Sequence, residues 1–245
     1  MTDAHVGLVG PDADGAAAVV GNAGGHAHVG TAADVLAERV DAVAALSESA
    51  LYDLVRAGLP TDTPVLAVNA GDGVPSVPAT DRDRALRRLV RGEYSTRERQ
   101  TLAVDARREE YRALADVALV TAEAARISEY AIDATGETGE VHVDTVRADG
   151  VVVATPAGTR GYVRTDDAPV LSPTVEAVAV VPIAPFRVEC PDWVVSLPAT
   201  LSVERDETKV ALLVDDEDVG LVEPGAPVAI SYGDPVTLAV TDEQD

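Results

Sequence analysis

Residues 149–162 read Asp-Gly-Val-Val-Val-Ala-Thr-Pro-Ala-Gly-Thr-Arg-Gly-Tyr, four apolar β-formers running straight into hydroxyls and glycines that an aromatic closes. Gly158 and Gly161 permit positive φ and close approach of another group to the backbone. Thr155 and Thr159 carry hydroxyls, and Arg160 carries a planar fork of donors suited to an anion. Such a loop either turns the chain between two strands, with Tyr162 filling core space, or brings backbone and hydroxyls against a ligand.

Other residues could do chemistry, and each has a plainer reading. Ala70–Gly73 reads Ala-Gly-Asp-Gly after an apolar run, which would set Asp72 at a ligand-facing strand end of an open α/β sheet; it also reads as an ordinary turn, with Asn69 near a ligand. His26 and His28 lie in a glycine-rich stretch, 21–30. A metal centre needs more ligands than an i, i+2 pair, so the stretch reads as a surface loop. His5 and His142 stand isolated. The acidic run 215–218 could hold a hard cation through oxygen, or simply form a solvated turn between two strands. Arg107–Arg112 mixes signs and reads as a solvated connection. Cys190 is the only cysteine, so an intramolecular disulfide is impossible and a thiolate metal site is not expected. No metal site is expected anywhere.

These residues need a scaffold, and the first hundred positions alternate strand and helix patterns. "HVGLVG" is a strand and "PDADGAAAVVG" a helix. "ERVDAVAAL" ends in a strand, and "SESALYDLVRAGL" is a helix opened by Ser47. "TPVLAVNAGDG" is a strand, and "TDRDRALRRLVRGEY" an amphipathic helix capped by Thr80 or Asp81 that turns Ala85, Leu86, Leu89 and Val90 inward. This alternation predicts a mostly parallel sheet covered by helices. Beyond Thr96 the pattern becomes strand-length segments punctuated by Gly, Pro and Asp, which predicts an antiparallel sandwich-like domain. The expected organisation is an α/β domain over 1–98 and a β-rich domain over 99–245.

Composition bounds the partners. Among 245 residues, 42 are acidic and 19 basic, a net charge of −23, and Lys209 is the only lysine. A nucleic-acid binder needs the opposite balance, because phosphate contacts are made by Lys and Arg. Disorder does not suit a chain with 47% hydrophobic residues in strand-like runs. An acidic coat of this kind suits concentrated salt, where screening shortens the range of self-repulsion, and a halophilic source is expected. No run reaches 18 apolar residues and no leader pattern opens the chain. A cytoplasmic protein with neither membrane nor nucleic-acid partners is the expectation.

The domain order and the 149–162 stretch together resemble the ATP-NAD kinase family, whose members carry Thr-Pro-Thr-Gly-Ser-Thr-Ala-Tyr after a strand that begins Asp-Gly. The resemblance extends from "NAGDG", in place of the family's Asn-x-Gly, through "APVLSPTVEAVAVVPIAP". It implies an N-terminal open α/β sheet followed by a C-terminal antiparallel β-sandwich-like domain. It also implies a dinucleotide ligand, NAD or NADP, with ATP and Mg²⁺ as further requirements if phosphoryl transfer survives, and a homo-oligomer. By the resemblance, the dinucleotide-binding residues are Asn69, Asp116, Asp149, Thr155, Gly158, Thr159, Arg160, Gly161, Tyr162 and Thr165. The threonine hydroxyls would meet ribose or phosphate, and Tyr162 would stack on adenine.

The family's Gly-Gly-Asp-Gly motif, whose Asp takes the proton from the ribose 2′-hydroxyl, falls here on Ser47, Glu48, Ser49 and Ala50. A serine is no general base near neutral pH unless another base activates it. The family's Asn-Glu/Asp pair becomes Ala115-Asp116, its Asp-Gly-Gln becomes Asp215-Asp216-Glu217, and the C-terminal helical tail of many members is not expected here. The departures imply a kinase whose activity is weak or lost. The alternatives are a non-catalytic NAD(P)-binding regulator or a relative acting on another substrate.

Overall fold

The computed structural model describes residues 3–123, 126–136, 139–160, 168–187, 190–205 and 208–241. The chain forms two compact units, Met1–Arg99 with Pro235–Asp245, and Gln100–Asp234.

In the first unit the elements are β1 (His5–Val9), α1 (Ala13–Asn22), β2 (His26–Val29), α2 (Ala32–Ala37), β3 (Ala42–Ala45), α3 (Glu48–Arg56), β4 (Val65–Val68), β5 (Ser76–Val77), α4 (Arg82–Val90) and β6 (Ser95–Arg99). The sheet runs β2-β1-β3-β4, all parallel, and is then extended by a strand from the C-terminal end of the chain and by β6. β3 and β4 are apolar throughout and buried at every residue, as strands covered on both faces must be. On one face Val6, Leu8, Ala42, Ala44, Leu66 and Val68 pack with Ala16 and Val20 of α1 and with Leu86, Leu89 and Val90 of α4. On the other, α2 lies so close to β1 that a Cβ on Gly7 would fall 2.2 Å from Val35 Cγ1.

α3 shows how the sequence sets its bounds. Ser47 caps its start, with the Oγ accepting from Ala50 N–H at 3.1 Å. Ala50, Leu51, Leu54 and Val55 bury one stripe. Gly58, at φ 82°, ends it, with Gly58 N–H donating to Val55 O and Leu59 N–H to Leu54 O, the paired bonds of a Schellman turn.

The second unit contains β7 (Leu102–Ala106), β8 (Glu109–Ala113), β9 (Asp116–Thr121), β10 (Ser128–Gly136), β11 (Gly139–Ala148), β12 (Gly150–Ala154), β13 (Val178–Ile183), β14 (Trp193–Val195), β15 (Ala199–Arg205), β16 (Val210–Val214), β17 (Glu217–Val222) and β18 (Val228–Tyr232). They form two antiparallel sheets, β11-β10-β15-β18-β7-β8 and β14-β13-β12-β9-β16-β17. Alternate residues of both, among them Val104, Ile132, Leu201 and Ile230 from one and Leu119, Val151, Val153, Val180 and Leu212 from the other, make a single core, the period-two packing of a sandwich. The opposite side of β12, Val152 and Ala154, is covered by Ala168 and Leu171. That double coverage is why β12 has no polar position.

An α/β sheet followed by an antiparallel β-sandwich is thus the architecture, and three details differ from expectation. β19 (Val236–Val240), assigned from sequence to the β-rich domain of 99–245, instead pairs with β4 and β6 in the first sheet. Its Val236, Leu238 and Ala239 are buried there, and Thr237 Oγ1 donates to Thr61 O at 2.6 Å. The glycine-rich stretch at 21–30 contains β2, an edge strand that exposes both of its ends. Arg107–Arg112 contributes β8, joined to β7 through Arg107 and Arg108 at φ 58° and 66°. Two positive φ angles belong to a two-residue hairpin turn, whose usual sequence signal is Asn-Gly rather than Arg-Arg. Among the described residues, no helix is long and apolar enough to cross a membrane.

Candidate functional site

In the first unit, β2 and β3 flank β1 on opposite sides, so the chain reverses its direction of winding at β1. Open α/β sheets bind ligands beyond the carboxyl ends of their strands at such a reversal. There an open cavity of about 780 Å³ is lined by Gly10 and Pro11 after β1, Gly30–Ala33 after β2, and Ser47, Ser49, Asp53 and Arg56 after β3. That volume falls within the ~300–1,000 Å³ of small-molecule sites. Asp53 and Arg56 face each other at 2.6 Å across one helical turn. Sequence reading missed this pair, although Asp53 stands four residues after Ser49 and therefore on the same helical face.

Ser47, Glu48, Ser49 and Ala50, expected from the resemblance to stand where the family has Gly-Gly-Asp-Gly, are the cap and first turn of α3. Ser47 is half-buried and its hydroxyl oxygen already serves Ala50 N–H, while Glu48 and Ser49 are exposed. Glu48 leans towards the loop after β4, where a Cβ on Gly71 would lie 2.7 Å from its Oε1. In that loop Asn69, exposed at φ 52°, holds its backbone to Val77 O at 2.8 Å, and Asp72 is exposed. Ser49 and Asp72 thus both belong to the carboxyl edge of the first sheet, in the segments that follow the neighbouring strands β3 and β4.

The loop after β12 is a knot of internal hydrogen bonds. Thr155 Oγ1 donates to Leu114 O at 2.7 Å and accepts from Ala157 N–H and Gly158 N–H at 3.1 and 3.3 Å. Thr159 Oγ1 donates to Pro156 O and accepts from Leu171 N–H, each at 3.1 Å. Both threonines are buried, at 1% and 0% exposure. The hydroxyls read from sequence as ribose or phosphate contacts are therefore turned into the fold, because the tight turn leaves its own amides and carbonyls to be satisfied. Gly158 is explained likewise: a Cβ there would lie 2.2 Å from Ala115 O. The close approach that the glycine permits is to the chain itself. Arg160, at the end of the turn, is exposed. Gly161, Tyr162 and Thr165 lie outside the described residues.

A carboxylate holds the other side of the knot. Asp215, at φ 53° in the turn between β16 and β17, accepts from the amides of Leu114, Ala115 and Asp116 at 3.0, 2.7 and 3.1 Å. The acidic run read as a cation site or a solvated turn thus carries one residue that works as a backbone clamp. Asp116 pairs with Ala154 across the sheet, so it sits beside the loop. Asp149 does not. It precedes β12 at the other end, six residues from Thr155, which is about 20 Å along an extended strand. Its carbonyl accepts from Thr121 N–H at 2.8 Å and from the Tyr130 hydroxyl at 3.4 Å. Burial, with the charge of Asp149 adding to it, pushes the Tyr130 phenol up to about 12.

A third cluster was not legible in sequence. Asp3, His5 and His26 place one ligand atom each within 4.8 Å of one another, at the amino end of β1 and away from the cavity.

Residues 114–235 match the family described as the ATP-NAD kinase C-terminal domain. The chain is 32% identical over 161 residues to the NAD kinase of Methanothermobacter thermautotrophicus, covering 64% of this chain and 55% of that one. To the NAD kinase of Caldanaerobacter subterraneus it is 29% identical over 201 residues, 78% of this chain and 69% of the relative. The match spans little more than half the length of the first two curated relatives, 55% and 56%. Among solved structures, an Archaeoglobus fulgidus NAD kinase in complex with ATP superposes with a TM-score of 0.76 at 18% identity, over 96% of this chain and 92% of that one. Yeast NADH kinase complexed with NADH gives 0.80 at 15%, over 100% and 85%. With its α/β sheet, its β-sandwich and the Thr155–Arg160 turn at the end of β12, this chain belongs to the NAD kinase family.

Proposed function

We propose that the protein binds NAD(H) or NADP(H) and has weak or lost NAD 2′-phosphotransferase activity. The observation that carries the proposal is the first turn of α3. Transfer of a phosphoryl group to a ribose hydroxyl needs an acceptor for the hydroxyl proton as the bond to phosphorus forms, and the rest is positioning and electrostatics. At the aligned position Ser49 offers only a hydroxyl. Asp53, one turn further along the cavity wall, has its carboxylate engaged by Arg56 at 2.6 Å. Side chains at Ser47 and Glu48 also occupy space that the family's glycines would leave open to phosphate.

Binding is supported from the other direction. The relatives with this fold include one complexed with ATP and one with NADH, and the cavity at the carboxyl edge of the first sheet is of nucleotide size. ATP and Mg²⁺ enter only if transfer survives. The charge of −23 supports a protein suited to concentrated salt. Titration of the purified chain with NAD⁺, NADH, NADP⁺ and NADPH in concentrated KCl tests the binding half. Saturable binding of at least one dinucleotide is the expected result. No binding of any of the four would overturn it and turn attention to a different ligand class, with Arg160 the first group to probe.

A further inference from the structure

The four histidine and aspartate side chains at the start of the first sheet have no part in the reading above. Parallel pairing sets His5 opposite His26 and Gly7 opposite His28. Alternate residues of a strand share a face, so His5, His26 and His28 all project to one side. It is the side on which α2 crosses Gly7, and α2 leaves the amino ends of β1 and β2 open. The rings of His5 and His26 stack at 4.9 Å, and those of His5 and His28 at 5.2 Å. His5 Nδ1 and His28 Nε2 are 2.9 Å apart, and His26 Nε2 and Asp3 Oδ1 are 2.8 Å apart. Asp41 clamps the backbone beneath, accepting from His5 N–H at 2.8 Å and donating its own N–H to His5 O at 2.8 Å.

We infer that Asp3, His5 and His26 bind a divalent transition ion of the zinc class, with His28 orienting His5. Two imidazoles and one carboxylate suit zinc, cobalt or nickel, whereas magnesium takes oxygen ligands. The ligand atoms lie within 4.8 Å of one another; tetrahedral ligands at ~2.0–2.1 Å from zinc are about 3.3 Å apart, so the exposed Asp3 and His26 side chains close modestly on half-buried His5 around the ion. His28 Nε2 accepts the Nδ1 proton of His5, which leaves His5 Nε2 with a lone pair for the metal. Neutral His26 carries its proton on Nδ1 and ligates through Nε2, the atom now against Asp3. A hydrogen-bonded partner that fixes a ligand's tautomer is the usual outer support of a metal-bound histidine. Water completes the fourth position. The site lies at the opposite end of β1 from the cavity, four residues and about 13 Å away. The ion therefore ties the chain start to the edge strand and takes no part in phosphoryl chemistry.

Cobalt(II) titration of the full chain in 2 M KCl tests this, since salt at that level screens diffuse attraction to the acidic surface. The expected result is one cobalt per chain with the intense visible absorption of a four-coordinate site, unaffected by excess Mg²⁺ and displaced by zinc. His26→Ala and His5→Ala abolish that absorption, while His28→Ala weakens binding about 10- to 100-fold with the same spectrum. All three positions are at least partly exposed, and circular dichroism confirms that each variant is folded. Weak six-coordinate cobalt spectra, or binding that survives His26→Ala and His5→Ala, would overturn the assignment. Equal loss from all three variants would overturn the separate role of His28.

Discussion

Replacing Asp215 tests whether the loop after β12 is held as a rigid platform. Its carboxylate accepts from three consecutive amides at 2.7–3.1 Å, and two of those residues are closed to water, Leu114 at 1% and Ala115 at 6% exposure. In Asp215→Ala the amides of Leu114 and Ala115 lose their partner with no solvent to replace it, at about 1.5–2 kcal/mol each. Asp116 is half-exposed and recovers a water. The turn also needs φ 53° at this position, a conformation that aspartate tolerates and alanine pays for by roughly 1 kcal/mol. The total is about 4–5 kcal/mol. Asp215→Asn keeps an acceptor oxygen and the backbone preference, and should lose about 1–2 kcal/mol. The assay is urea unfolding in concentrated KCl followed by fluorescence of Trp193, the only tryptophan, which lies on β14 in the same sheet as β12 and β16. With a slope of roughly 2 kcal/mol per molar urea, Asp215→Ala should move the midpoint down by about 2 M and Asp215→Asn by less than 1 M. A midpoint for Asp215→Ala within about 0.5 M of the parent, or an asparagine variant as damaged as the alanine one, would refute the clamp.

Further predictions address neighbouring features. Gly158→Ala puts a Cβ 2.2 Å from the Ala115 carbonyl oxygen; since backbone must move to admit it, a loss of about 2–3 kcal/mol is expected in the same unfolding assay. Ser47→Ala removes the acceptor of Ala50 N–H and should cost about 1 kcal/mol, measured by far-ultraviolet circular dichroism during unfolding. Tyr130, pushed up to about 12, should ionise two units above an unfolded tyrosine near 10 in an ultraviolet absorbance titration. Because the folded-state value is the higher one, the preference for neutral phenol, about 2–3 kcal/mol, is whole below pH 10 and is lost as pH rises through 12. Tyr130→Phe should flatten that part of the stability profile. Finally, the net charge of −23 predicts a melting temperature that climbs steeply between 0.1 and 1 M KCl as the screening length falls from ~10 to ~3 Å; a salt-independent melt would count against the high-salt reading.

The fold was legible wherever one periodicity ruled a segment. The stripe Ala85, Leu86, Leu89 and Val90 is the buried face of α4, and Val151–Ala154 is a strand covered on both sides. What escaped notice depends on contacts between segments distant in sequence. β19 looks like any other strand of the second unit, and only its pairing with β4 and β6 assigns it elsewhere. The β7–β8 hairpin turns on two arginines that no turn rule would choose. At the loop, residue types were read correctly as apt for close approach, but composition does not say what approaches. Leu114 and Leu171 bond the hydroxyls of Thr155 and Thr159, and each is distant in sequence. The histidines show the same lesson in reverse, since an isolated His5 and an i, i+2 pair become one cluster only once β1 and β2 align.

The central claim is that Ser49 marks a lost proton acceptor. The direct test is NADP⁺ formation by the purified chain with NAD⁺, ATP and Mg²⁺ in concentrated KCl, beside Ser49→Asp. The account predicts little or no product from the parent chain and a gain in Ser49→Asp of about 10²-fold or more, the usual contribution of a positioned base. Robust turnover by the parent, unchanged or reduced in Ser49→Asp, would contradict it and make Asp72 and Asp53 the next carboxylates to replace.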